Sequence, residues 1–149
     1  MPNNTANKLK FMFFEDRGQK LNEIEEFLKS KERDLDFDKI IPLNGRDPRE
    51  VWNTKWNAYD IHKIRSEEWS LVYFFETAWN YPEPIIQAIM EKYPDVSISF
   101  TSACEGGWFA LSITRDEDTG DIDRVEFTSE LGNDADGKIR YSMFNALSL

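Results

Sequence analysis

The sequence has one cysteine, no long apolar run and no glycine-rich loop before a helix, and each shortage excludes a class of protein. Cys104 has no second cysteine with which to form an internal disulfide. Because no membrane-length apolar segment or signal peptide is recognisable, we expect a protein of the reducing host-cell cytoplasm. No glycine-rich loop leads into a predicted helix, so the phosphate-binding turn of a nucleotide-binding module is missing.

Positive charge is also scarce. The chain carries 18 Lys and Arg against 28 Asp and Glu, a net charge of −10. This balance predicts no direct binding to nucleic acid or to an anionic membrane, and it fits a partner protein with a basic surface. Most of the imbalance is local, since residues 105–136 hold ten acids and only two cations, Arg115 and Arg124.

Apolar and aromatic residues are plentiful, and 149 residues with this composition predict one folded domain with a substantial core. The chain is organised around an aromatic, nearly continuous apolar run that begins at Ser70. Such a run is typical of a strand that is buried on both faces or central in a sheet. After Pro82 the apolar residues recur at helical spacing, which predicts an amphipathic helix over residues 83–93.

The remaining patterns predict the order of the other elements. Residues 1–8 are expected to run along the surface, and Asp47 is expected to cap a short helix that begins at Pro48. Charged residues 62–68 are interpreted as a connection to the central strand. Strands are predicted at 9–14, 36–43, 70–79, 96–101, 108–113 and 122–128, with helices at 19–33 and 83–93, an acidic loop at 129–137 and a terminal helix at 138–149.

Strands with one apolar face and helices to cover it predict an α+β fold of the ferredoxin-like type. We expect a two-layer sandwich with a mainly antiparallel sheet and helices on one face. Residues 1–149 form a single domain in this interpretation, with an acidic C-terminal extension from about residue 115.

Several short motifs resemble the Api92-like proteins with a YubB-type ferredoxin-like domain. They are the Thr-Lys-Trp element after Asn53, the Tyr-Phe-Phe-Glu-Thr-Ala-Trp run that ends at Trp79, the Pro-Glu-Pro-Ile segment from Pro82, a Tyr-Pro pair at Tyr93 and a Gly-Gly-Trp-Phe-Ala turn. The resemblance covers roughly residues 1–114, and Asn53 stands where a glycine usually precedes Thr-Lys-Trp. It implies a ferredoxin-like fold and carriage on phages, plasmids or other mobile elements, without an established reaction.

No pattern of catalytic or metal-binding residues is convincing. Cys104 and His62 could form a nucleophile and base only if the fold placed them within hydrogen-bond reach. The acidic run from Asp116 to Asp123 departs from the spacing of a calcium loop at both the glycine and the final glutamate. We therefore predict no enzyme, no metal and no cofactor, and interpret the run as a solvated hairpin tip.

Two stretches are the predicted partner-binding surfaces. In the loop of residues 53–60, Trp56 is expected to pack within its own loop and Trp79 to lie mainly in the core, which leaves amides and charges for contact. The second stretch is the acidic run, either as an imitation of nucleic-acid phosphates or as a charged edge that keeps the sheet unpaired. The candidate residues are Asn53, Lys55, Asn57, Asp60, Asp116, Glu117, Asp118 and Asp121.

The leading hypothesis is a non-enzymatic accessory protein of a mobile element that inhibits or modulates a host or defence protein by surface contact. One alternative is an acidic mimic of nucleic acid that blocks a DNA- or RNA-binding protein. The other is a small enzyme or nucleotide-binding module whose site has no recognisable motif.

Overall fold

The computed structural model describes residues 4–13, 18–66, 69–116, 118–127 and 138–147, which form a six-stranded antiparallel sheet with helices packed on it. The strands are β1 (Asn4–Met12), β2 (Tyr59–Ser66), β3 (Ser70–Ala78), β4 (Ser97–Cys104), β5 (Ala110–Arg115) and β6 (Ile122–Glu126). The helices are α1 (Gly18–Leu28), α2 (Phe37–Ile40), α3 (Pro48–Val51), α4 (Glu83–Lys92) and α5 (Lys138–Leu147). The sheet order is β2-β3-β1-β4-β5-β6, so β3 is flanked by strands on both sides, and the predicted α+β sandwich with an antiparallel sheet is confirmed.

One face of the sheet, the core face, carries the main hydrophobic core. Leu9 in β1 pairs with Phe100 in β4, which pairs in turn with Ile113 in β5, and all three side chains point to this face. The apolar residues of β4 and β5 therefore share one face, as expected for strands with one apolar face. Helices α1 and α4 close this layer with Leu21, Ile24, Leu28, Ile85, Ile86, Ile89 and Met90.

The opposite face, the second face, is covered at one end by α5, which confirms the predicted terminal helix. The expectation that all helices lie on one face of the sheet is therefore wrong for α5. Ala6, Ala103 and Ala110 form a flat patch there, and Leu147 packs on it with Phe127, Met143 and Phe144. Small residues in the strands let the helix approach the sheet closely. Across the described ranges, no helix is long and apolar enough to span a membrane.

Two predictions for the first half of the chain are wrong. Residues 4–8 do not run along the surface: they are the first part of β1, and Thr5, Ala6 and Asn7 are fully buried. Residues 36–43 do not form a strand. The Asp36 side chain accepts a hydrogen bond from the Asp38 backbone N–H, at 3.0 Å, and so caps the helical turn α2 instead.

The charged segment 62–68 is also different from its prediction, because residues 59–66 form the edge strand β2. Because an edge strand buries little surface, β2 carries charged residues in place of the apolar alternation that usually indicates a strand. Lys63 and Arg65 point to the core face and make salt bridges with Glu25 of α1. Helix α1 ends at Leu28, earlier than predicted, whereas α3 begins at Pro48 as predicted, with Asp47 accepting a hydrogen bond from the Arg49 backbone N–H.

The antiparallel pairing gives the sheet two distinct ends. The loop end carries residues 53–58, Trp79 and the turn between β4 and β5. The tip end carries Trp69, between β2 and β3, and the turn between β5 and β6. The nine residues of β3 separate the two ends by about 30 Å.

Candidate functional site at the loop end

The loop of residues 53–58 is held in place by its two asparagines. Asn57 accepts hydrogen bonds from the backbone N–H groups of Phe37 and Ala58, at 3.0 and 2.8 Å, and donates one to the Asp36 carboxylate. Because these bonds engage both ends of its amide, Asn57 acts as scaffold in this structure.

Asn53 adopts a left-handed backbone (φ 68°), the conformation that favours glycine, and its amide donates a hydrogen bond to the Tyr81 carbonyl at 2.9 Å. Asparagine tolerates the left-handed region, so it can replace the glycine that usually precedes the Thr-Lys-Trp motif.

Lys55, by contrast, lies between two exposed indole rings. Its ammonium nitrogen is 4.8 Å from the ring centre of Trp56 and 4.7 Å from that of Trp79. The guanidinium carbon of Arg49 lies 5.9 Å from the ring centre of Trp79, and the Tyr59 ring meets the Trp56 ring edge-on, with 6.4 Å between the ring centres. We call these five residues the cation–aromatic surface.

The exposure of Trp79 overturns its predicted core position. Its side chain is 42% exposed, and its backbone is left-handed with φ 78°. That turn takes the residue out of the alternation of β3, so the ring leaves the core. Trp56 contacts Lys55 and Tyr59 of its own loop, as expected, but 42% of its surface stays exposed. The buried indole of this region is Trp52, which donates a hydrogen bond to the Ile41 carbonyl at 2.9 Å.

Beside this surface lie three carboxylates, Asp60, Glu76 and Glu105, which we call the acidic cluster. Burial, a hydrogen bond with Asp60 and the negative charges of Asp60 and Glu105 together raise the pKa of Glu76 to about 7. Tyr59 links the cluster to the cation–aromatic surface. Burial and the negative charges of Glu76, Asp60 and Glu105 raise the pKa of its phenol to about 12. Its hydroxyl donates a hydrogen bond to the Asn4 side chain.

The structure thus adds Glu76 and Glu105 to the residues predicted for this site. Glu76 had a visible signal, because it is the one charged residue inside the apolar run of β3. Asp60 was selected as a loop residue and lies in the irregular start of β2, with φ 49°. Glu105 reaches the cluster only through the pairing of β4 with β1, which no local pattern reveals.

The predicted acidic run lies elsewhere. Asp116, Asp118 and Asp121 are exposed in the turn between β5 and β6, at the tip end, so the structure does not bring them to the loop of residues 53–60. The Asp116 carboxylate accepts hydrogen bonds from the backbone N–H groups of Asp118 and Thr119, at 2.8 and 3.3 Å. Glu117 lies outside the described residues.

Cys104 and His62 are not brought together. Cys104 is buried and points to the core face in β4, whereas His62 points to the second face in β2, three strands away. Among the residues that the structure describes, no group of three or more His, Cys, Asp or Glu side chains could hold a metal ion.

A comparison with family models decides the family. Residues 51–136, more than half of the chain, match the model described as the ferredoxin-like domain in Api92-like protein. The chain belongs to this family. The match confirms the ferredoxin-like fold and runs beyond residue 114, so in this Api92-like chain it includes β6 and the acidic run from Asp116 to Asp123. No curated protein and no solved structure matches the chain.

Proposed function

We propose that this Api92-like chain is a non-enzymatic accessory protein of a phage, plasmid or other mobile element, and that it inhibits a host or defence protein by binding it. The contact is made by the cation–aromatic surface together with the acidic cluster beside it, and the partner presents a basic segment to the acidic cluster. The observation that carries the proposal is the position of Lys55 between the two exposed rings of Trp56 and Trp79.

Exposed tryptophan is the first support for a protein contact. Trp and Arg are enriched at the centres of protein interfaces, where a few such residues supply most of the binding energy. Here two indole rings and Arg49 stand together on one end of the sheet. A partner that covers the rings removes apolar area from water, which stabilises the complex by about 25 cal/mol for each Å².

The acidic cluster supports a basic partner. A lysine or arginine that approaches Glu76 stabilises its carboxylate form, so binding releases the proton that this carboxyl retains near neutral pH. The affinity for a basic partner is therefore expected to rise between pH 6 and pH 8. It is also expected to fall as salt is added, because salt screens the attraction between exposed charges.

Affinity capture from host-cell lysate with matched variants tests the proposal. The test variant is Trp79→Ala, and the control is Trp69→Ala, since Trp69 is 47% exposed but lies at the tip end. We expect the partner captured by the native chain to be retained by the control and lost with the test variant, with an affinity change of about thirtyfold.

Direct titration of the captured partner then tests its charge. We expect the affinity to rise from pH 6 to pH 8 in the native chain and to stay flat in Glu76→Gln. Equal capture by Trp79→Ala and Trp69→Ala would contradict the proposal, and so would a pH dependence of the opposite sign.

A further inference from the structure

We propose that the chain has a second binding site, a cavity between α4 and the β5–β6 hairpin that takes an apolar chain ending in a carboxylate. The cavity has a volume of about 350 Å³, within the range of small-molecule sites. Its apolar wall is formed by Ile86, Met90, Ile113 and Ile122.

The topology explains why this space is open. Helix α4 covers the core face over β4 and β5, whereas every residue of β6 is exposed. Ile122 therefore remains 56% exposed although it points to the core face, in register with Arg115. The wall is apolar on both sides, which suits a hydrocarbon chain.

Arg115 supplies the charge in the cavity. It is only 8% exposed, and one of its terminal nitrogens donates hydrogen bonds to the carbonyls of Met90 and Tyr93, the latter at 2.9 Å. A guanidinium has five N–H donors, so three remain on its other two nitrogens. Within the described part of the chain, no carboxylate lies within salt-bridge distance of Arg115.

The other arginine of the cavity shows the contrast. Arg124 makes salt bridges with Glu83 and Glu126, at 2.6 and 2.9 Å, and donates a hydrogen bond to the Tyr81 hydroxyl. Its charge is therefore matched within the chain. Arg115 is a buried cation without a paired carboxylate, which costs free energy. A ligand carboxylate would offset this cost by pairing with its guanidinium.

The chemistry of the ligand follows from these groups. Guanidinium binds carboxylate through two parallel hydrogen bonds, and the isoleucines and Met90 bind the attached chain. Glu83 and Glu91 also line the cavity, and they disfavour a doubly charged phosphate. The shared chemistry fits two sources, a free fatty acid and the C-terminus of an apolar peptide.

Calorimetric titration of the full chain distinguishes the ligand chemistries. Octanoate is compared with octanamide, which has the same chain without the charge. The N-acetylated dipeptide of two leucines is likewise compared with its C-terminal amide. We expect at least one of the two carboxylates to bind with one-to-one stoichiometry and its neutral amide to bind about tenfold more weakly, and the carboxylate that binds identifies the source.

Matched variants test whether binding takes place in the cavity, and they keep the hydrogen bonds that Arg115 donates to the Met90 and Tyr93 carbonyls at the end of α4. Ile122→Asp adds a negative charge to the wall, and Ile64→Asp adds the same charge at a site that is 52% exposed on β2, at the other edge of the sheet. We expect Ile122→Asp to weaken carboxylate binding about tenfold and Ile64→Asp to leave it unchanged. Glu91→Gln removes a negative charge from the cavity and is expected to strengthen binding.

Three results would overturn the proposal. They are the failure of both carboxylates to bind, equal binding of a carboxylate and its amide, and equal weakening by Ile122→Asp and Ile64→Asp. Each of these results leaves the proposed contact at the loop end unaffected, since Trp79 and Lys55 are not part of the cavity.

Discussion

Trp79 combines a left-handed backbone with a large exposed ring, and neither feature favours the folded state. A bulky residue with φ near 78° is rare, and such strain costs on the order of 1–3 kcal/mol. The ring recovers part of this through Lys55 and Arg49, although exposed contacts of this kind contribute only about 0.5–1 kcal/mol. Strained and exposed residues of this type are concentrated at functional sites.

Replacing Trp79 by glycine should therefore separate binding from stability. Glycine adopts the left-handed backbone without strain, so we expect the free energy of unfolding in urea to change by less than about 1 kcal/mol. Trp69→Gly is the control, because Trp69 is similarly exposed and is not among the residues with positive φ. It should lose about 1 kcal/mol more than Trp79→Gly. A loss of several kcal/mol in Trp79→Gly alone would show that the ring supports the fold.

Glu76 predicts a pH dependence of stability with a definite sign. Its pKa of about 7 in the folded chain exceeds the ordinary value, so the folded state binds more protons than the unfolded state between about pH 4.5 and 7. Stability from this group is therefore lost as the pH rises through 7. The pKa values of Glu25 and Asp36 are lowered in the folded chain. The stability that these two carboxylates contribute is therefore lost only at more acidic pH, where they take up protons.

Thermal unfolding at pH 5.5 and pH 8 measures this effect. We expect the midpoint of the native chain to be lower at pH 8, and Glu76→Gln to be the more stable chain at that pH. Glu91→Gln is the control for a general loss of negative charge, because Glu91 is exposed on α4. If both variants gained the same stability at pH 8, net charge and not the acidic cluster would be the cause.

At the level of elements, the sequence predicted the parts of the fold that are apolar and periodic. Strand β3, helix α4 and the pair β4–β5 have clear apolar patterns, and they were predicted close to their observed bounds. Strand β2 was missed because an edge strand needs no apolar face. The loop-end site was found only in part, since Trp79 leaves the core through its backbone conformation, which composition does not reveal.

The first half of β1 was missed for a related reason. Its buried side chains are polar, and they are satisfied only by neighbouring strands. The Asn7 amide donates a hydrogen bond to the Thr77 hydroxyl at 3.0 Å and accepts one from the Ser102 hydroxyl at 2.8 Å. Both partners are distant in sequence and become neighbours only in the sheet, so the local pattern indicates a surface segment.

This arrangement predicts a large effect for one substitution in β1. Asn7→Ala removes the central member and leaves the buried hydroxyl of Ser102 without its acceptor, which costs about 1–3 kcal/mol. Lys8→Ala is the control in the same strand, because Lys8 points to the second face, and it should change the free energy of unfolding by less than about 0.5 kcal/mol. Urea unfolding measures both. Similar small losses in the two variants would contradict the role of Asn7.

For the whole molecule, the two candidate contact surfaces lie at opposite ends of the sheet. The loop end carries the cation–aromatic surface and the acidic cluster, and the tip end carries the exposed acids Asp116, Asp118 and Asp121. Since about 30 Å of β3 separates the ends, one small partner cannot use both. The two hypotheses for contact therefore make different predictions.

Neutralising the acidic run at the tip end distinguishes these two hypotheses. The change is Asp116→Asn, Glu117→Gln, Asp118→Asn and Asp121→Asn together. We expect the fold to persist, because the described members of this set are exposed and asparagine can still accept the turn hydrogen bonds at position 116. Under the proposed contact, the partner that Trp79→Ala loses should still be captured by this variant. A nucleic-acid mimic would behave in the opposite way: capture would disappear with the tip acids, persist in Trp79→Ala, and lose its dependence on salt.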